Sequence, residues 1–203
     1  MKIGIIADGQ AEIVALRELF ARITVDGVTL CNPLYADMQP LSSPAQVFKA
    51  AEGKLAICSQ RGCNRTIVLL DHEDRTDCPG IRATEITSIF SKNGHSSVSV
   101  VIKQRAFENW LIGDLDSVRK CGKRFNIRDG LIERVKKSGA DSLSAIALLD
   151  GCVTDGYSKR RDAIQICKAI CPLEVARNSR SFRKLLRACG HSKYLKQSKS
   201  PTP

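Results

Sequence analysis

Short apolar runs alternate with amphipathic stretches along this chain. Ile3-Gly4-Ile5-Ile6-Ala7 is apolar throughout and short enough to be a buried strand. From Glu12 to Ile23 the apolar residues fall at 13, 14, 16, 19, 20 and 23, which is helical spacing. Gly27 to Leu30 reads as a second strand, and Asn32 to Pro44, with three prolines, as a loop. Ser43-Pro44 places an N-cap before a proline at the first helical position, so a helix begins there; it runs to about Cys58. Thr66 to Leu70 is a third strand, and Ile81 to Phe90 a helix that stops near Asn93-Gly94. Ser97 to Ile102 is a fourth strand, and Phe107 to Ile112 opens another helix. Strands alternating with helices at this spacing predict an α/β fold: a mostly parallel sheet of about four strands with helices on both faces.

The pattern changes after about Asp116. Leu131–Val135, Ser142–Leu149, Arg161–Ile170 and Ser181–Ala188 carry helical periodicity, and no strand candidate is visible. The predicted organisation is a sheet domain over 1–115, a helical appendage over 116–190, and a disordered Lys-, Ser- and Pro-rich tail over 191–203.

The chemistry gathers where the strands end. Thr66–Leu70 runs straight into Asp71-His72-Glu73-Asp74, and the first strand ends in Asp8-Gly9-Gln10-Ala11-Glu12. Acids clustered at the end of a buried strand repel one another unless a cation sits between them. In open α/β sheets, functional groups collect at the carboxyl ends of the strands. Gly9 would permit a tight turn that lets Asp8 and Glu12 face that edge, and Asp71 and Glu73, two apart, would share a face of the extended chain. Four carboxylates suit one or two Mg²⁺ or Mn²⁺ ions, and two such ions can clamp the attacking and leaving oxygens of a phosphodiester displacement. Taken singly, Asp8 or Glu12 reads as a helix cap; jointly the two strand ends read as a metal site. His72 should point to the opposite face, and Asp74 and Asp77 belong to the loop. Lys103 and Arg105 follow the fourth strand at the same edge, where a cation can neutralise a phosphate or steady developing charge. Glu108 opens the next helix, where the macrodipole favours an acid; Trp110 reads as core.

Charge widens this picture. Lys and Arg number 32 against 21 Asp and Glu, a net charge of +11, which favours an anionic partner, nucleic acid first. Basic residues concentrate late in the chain, at Lys159, Arg160, Arg161, Arg177, Arg180, Arg183, Lys184 and Arg187. Nine irregularly spaced cysteines without a C-x-x-C or a matching histidine read as reduced thiols of a cytoplasmic protein rather than a zinc site. No apolar run approaches the roughly 18–20 residues of a membrane span, so no membrane association is expected. Met1-Lys2 leads directly into a strand, so no leader peptide is expected.

With these residues in view, the pattern resembles the TOPRIM-type metal-binding domain of topoisomerases, primases and OLD-type nucleases. Asp8-Gly9 matches its acid-Gly after the first strand, and Asp71-x-Glu73 its later acid pair; Asp8-x-x-x-Glu12 and Lys103 match the second acid and catalytic lysine of OLD-type nucleases. The chain is more similar still to a small TOPRIM-like family often encoded beside ATPases in bacterial anti-phage gene clusters. Glu108-Asn109-Trp110-Leu111-Ile112-Gly113-Asp114, Tyr157-Ser158-Lys159 and Ser181-Phe182-Arg183-Lys184-Leu185-Leu186 follow that family's remaining elements in order. Asp8, Ala11 and Glu73 depart from its usual Glu, Thr and Asp.

The resemblance implies a Mg²⁺- or Mn²⁺-dependent nuclease working with an ATPase partner in anti-phage defence. Asp8, Glu12, Asp71 and Glu73 would hold metal, and Lys103, Glu12 and Glu108 would serve catalysis. Arg105, Lys159, Arg160, Arg180, Arg183 and Lys184 would hold nucleic acid, DNA before RNA. Two alternatives stand beside it: a non-enzymatic subunit of an ATPase complex, and a doubly wound phosphatase with Asp8 as nucleophile.

Overall fold

The structure, a computed structural model, describes residues 1–73 and 75–196. Asp74 and the last seven residues of the expected tail lie outside the described residues. Five strands form one parallel sheet: β1 (Lys2–Ala7), β2 (Thr29–Leu30), β3 (Leu34–Tyr35), β4 (Arg65–Asp71) and β5 (Val98–Lys103). The order is β2-β1-β4-β5, and β3 pairs with the later half of β1 while β2 pairs with its start. The sheet therefore has one strand more than the alternation predicts. β3 lies inside the expected proline-rich loop, and at two residues it is too short to show a period.

Side-chain alternation sorts the strands into two faces. Ile6, Val68, Leu70 and Ile102 point into a core with α2 (Pro44–Gln60) and α3 (Pro79–Lys92). The α2 start is a full capping box: Ser43 accepts from Gln46 N, and the Gln46 side chain accepts from Ser43 N. Ile3, Ile5, Ala7, Ile67, Leu69 and Val101 point the other way, onto α1 (Ile13–Ala21).

The second face is where the two halves of the sequence meet. After α4 (Glu108–Leu111) come α5 (Leu115–Arg119), α6 (Asp129–Ser138), α7 (Ala145–Cys152), α8 (Asp162–Ala169), α9 (Pro172–Asn178) and α10 (Arg180–Ala188). Their apolar sides join the sheet face in one continuous core that includes Phe107, Trp110, Ile166, Val175, Phe182 and Leu186. The region after 116 thus shares the core of the sheet. Ser192–Tyr194 adds a 3-10 turn that buries Tyr194, within the stretch expected to be tail. Among the described residues no helix is long and apolar enough to cross a membrane. All nine cysteines are free thiols.

Trp110 is the pin of this seam. It is fully buried, packs edge-on against Phe107 and Phe182, and donates its indole N–H to Ser181 Oγ at 2.8 Å. Ser181 and Ser179 are held in turn by the Asp141 carboxylate. Asn109 beside it donates to the carbonyls of Ala140 and Leu143. Trp110→Ala is expected to cost about 3–5 kcal/mol of stability, read as a lower urea midpoint in a single unfolding transition. Two separate transitions in the wild type would contradict the shared core.

Candidate metal centre

Register builds the site. Asp71 ends β4 and Lys103 ends β5, and the two are direct partners in the ladder. Both continue the series that faces α1, after Leu69 and Val101, so their side chains emerge on that side of the carboxyl edge. Ala7 pairs with Leu69, which places Asp8 next to them; the Asp71 amide donates to Asp8 Oδ2. Glu12 arrives from the 3-10 turn Gln10–Glu12, tied by its amide to Gly9 O at 3.0 Å. Gly9 serves close approach rather than turn geometry. Its φ of −100° is open to any residue, but a Cβ there would lie 2.5 Å from Glu12 Cδ.

The carboxylates of Asp8, Glu12 and Asp71 each offer an oxygen within 4.8 Å of the others. Lys103 Nζ stands among them, 2.8 Å from Asp8 Oδ1, 2.8 Å from Glu12 Oε2 and 2.9 Å from Asp71 Oδ1. Lys103 is 0% exposed and Glu12 1%, so these charges meet almost without water. A second ammonium follows: Lys159 Nζ lies 2.7 Å from Glu12 Oε1 and 3.3 Å from Glu108 Oε1. The Tyr157 hydroxyl is 3.4 Å from Glu108 Oε1. Four carboxylates therefore share two ammonium groups.

The acceptors are not fully served. Among the described residues, Glu12 Oε1 and Asp71 Oδ1 have an ammonium nearby but no well-directed hydrogen bond, and the buried Glu108 Oε2 has no hydrogen-bond partner. Buried carboxylate oxygens in this condition are costly. An all-oxygen donor set with spare lone pairs fits a hard divalent cation. Asp8, Glu12 and Asp71 could hold it.

Burial pushes the Asp71 carboxyl up to about 7; Lys103 opposes this, while Glu12 and Asp8 reinforce it. Burial also raises Glu12, but Lys103 and Lys159 more than reverse that, and the net shift is downward. Burial disfavours the Lys103 ammonium, yet Asp71, Asp8 and Glu12 hold its pKa well above the usual lysine value. The same contest, against Glu12 and Glu108, leaves Lys159 raised.

Several expected residues sit elsewhere. The strand ends at Asp71, and Glu73 takes a left-handed conformation, φ 50°, while its amide donates to Arg105 O. The two-residue alternation is broken there, and Glu73 is exposed, outside the converging trio. His72 points away, as expected, and pairs with Asp77 at 3.1 Å. Lys159, read as a phosphate contact, lies in the acidic cluster. Arg105, with φ 64°, and Arg160 are exposed. Arg183 spends one nitrogen on the carbonyls of Ala176 and Arg177. Arg180 and Lys184 line a separate cavity beside β5. Composition gave no sign of the Lys159 and Tyr157 contacts with Glu108; only the Tyr-x-Lys element of the resemblance touches them.

Two outcomes follow. In EDTA, Lys103→Met is expected to lose about 3–5 kcal/mol, since it leaves buried carboxylates facing one another; Mn²⁺ should restore part of the loss in urea titrations. Unchanged stability would mean the acids are neutral without the lysine. Asp71 keeps its proton in the fold above its unfolded value of 3.8, up to about 7. The native state therefore binds more protons across that window, and stability falls as pH rises through it. Glu12 acts below its ordinary 4.5, where its stabilisation is lost as pH falls. Asp71→Asn should remove the slope between about pH 4 and 7 in chemical denaturation, and a slope that persists would place the proton elsewhere.

No protein-family model matches the chain, and no curated protein matches it in sequence. Among solved structures it is similar to the C-terminal region of the Burkholderia pseudomallei OLD protein, at 16% identity and a TM-score of 0.41, over 91% of this chain and 98% of that one. What the site does has to be read from its own side chains.

Proposed function

We propose that the chain is a divalent-metal-dependent nuclease that hydrolyses phosphodiester bonds, DNA before RNA. The observation that carries this is the convergence of Asp8, Glu12 and Asp71, from three separate segments, on one desolvated point at the carboxyl edge of the sheet. A fold gathers buried like charges in this way when a cation belongs among them. Mg²⁺ or Mn²⁺ held by these three, with Glu73 as a further oxygen donor in the adjoining turn, would supply Lewis-acid chemistry at a phosphodiester.

The chain's own groups divide the remaining work. Lys103, fixed by three carboxylates, keeps a positive charge where negative charge develops on the substrate. Glu12 and Asp71 each keep an oxygen without a well-directed hydrogen bond, which could orient the attacking water. Lys159 holds Glu108 and Glu12 together and orients them. The order of motifs shared with the TOPRIM-like family supports action beside an ATPase partner in anti-phage defence.

A second reading has one observation of its own. Lys103 Nζ already lies within hydrogen-bonding distance of all three acids. An internal ammonium so placed can stand permanently for a metal, which would make this a non-enzymatic subunit.

The deciding experiment incubates the purified chain with plasmid, linear and single-stranded DNA and with RNA, in Mg²⁺, Mn²⁺ or EDTA. Cleavage is expected with metal only, and Asp8→Asn with Asp71→Asn should abolish it. Lys103→Ala should slow it by about 10²–10³-fold, the usual cost of one charge-stabilising donor. Glu73→Ala should have the smaller effect of an outer ligand. If millimolar Mg²⁺ and Mn²⁺ neither bind in calorimetry nor support cleavage, the internal-ammonium reading holds instead.

A further inference from the structure

The outer edge of β5 carries a feature the acidic site does not use. Among the described strands β5 pairs only with β4. Its free side forms the floor of a groove between α3 and α10. Two adjoining cavities, about 310 and 570 Å³, make up this groove, and both are lined by Pro79, Ile102 and Lys184. Val101 and Ile102 are almost fully buried beneath it, so the apolar surface the groove offers comes from Val100, Pro79, Ala83, Ala188 and Leu195. The charged lining is almost all of one sign. Arg65 and Arg187 stand in the larger cavity, Lys184 at the junction and Arg180 in the smaller one. Asp141 is the one acid among the described lining residues, and Ser179 and Ser181 already engage both its oxygens.

Arg180, Lys184 and Arg187 fall at i, i+4 and i+7 of α10 and so share one face. Burial, with Arg180 and Arg187 nearby, pushes Lys184 below the usual lysine value. Like charges concentrated on a concave surface focus a positive potential. Gln104, the residue after Lys103, lines the smaller cavity, so the groove reaches the carboxyl end of β5, the strand that carries Lys103.

We propose that this groove seats a single-stranded nucleic acid, its phosphates along Arg65, Arg187, Lys184 and Arg180, its sugars and bases over the apolar floor. A duplex offers its phosphates but keeps its base faces stacked, and would leave that floor unused; an unpaired strand can occupy both. No aromatic side chain stands among the described lining residues, so recognition is tolerant of sequence. The proposal rests on the nuclease reading and adds to it the substrate form and its path.

The test uses the full chain in EDTA, so that binding is read without cleavage. Anisotropy of a fluorescein-labelled 20-nucleotide single strand is titrated from 50 to 200 mM salt. Arg180→Gln with Lys184→Gln should weaken binding at least tenfold and lower the salt slope by about 1.4, roughly 0.7 for each phosphate no longer neutralised on a single strand. Lys120→Gln with Lys123→Gln, which removes two exposed charges outside the groove, should change affinity less than twofold. Thermal melting of each variant checks that the fold is kept. Equal weakening by both pairs would reduce the effect to net charge and overturn the proposal. So would tighter binding of a matched duplex, displacement by polyglutamate at equal charge, or no binding by the wild type. Groove-dependent binding without cleavage in any metal would retire the nuclease reading and leave the groove in place.

Discussion

Lys103 is the charge on which the carboxyl edge of this sheet depends. Three carboxylates delivered by the residue after β1, the following 3-10 turn and the end of β4 would repel one another strongly in so little water. One ammonium at 2.8–2.9 Å from each turns that repulsion into a cluster. The arrangement is stable only as a set: desolvation works against every member, and mutual attraction offsets it. Lys159 extends the set to Glu108, and through it ties the sheet edge to the later helices. The same dependence makes the site responsive, because any cation that enters must change what the two lysines hold.

Much of this was legible in the chain. Apolar runs marked β1, β4 and β5, and their ends marked Asp8, Asp71 and Lys103. Ser43-Pro44 announced α2, and Trp110 read as core. What escaped had physical reasons. That Lys103 lies directly across from Asp71 is a matter of strand register, set by pairing over the whole length of β4 and β5. Glu73 was assigned by a two-residue period that stops when the backbone turns left-handed. Pro172–Asn178 buries only Val175 and Ala176, too few apolar positions to show a helix. Glu108 read as a dipole partner at a helix start, whereas its carboxylate meets Lys159 and Tyr157, about fifty residues on.

The basic and acidic features of the composition resolve into separate places. The net charge of +11 hides a desolvated acidic pocket and, on the free side of β5, a row of cations. Two lysines read from composition as phosphate contacts differ in kind: Lys159 belongs to the pocket and Lys184 to the groove. Sequence supplies the charges, but the fold decides whether each one lines the acidic pocket or the groove.

The seam around Trp110 bears on how such a chain can change over evolutionary time. One face of the sheet is roofed by helices from the later half, and that half also contributes Lys159 to the pocket. The two halves are therefore inherited together. Recombination that exchanged the first 115 residues alone would part the sheet face from its cover and Lys159 from Glu12 and Glu108. Variation is freer on exposed surfaces, such as the outer side of α6 with Glu133, Arg134 and Lys137.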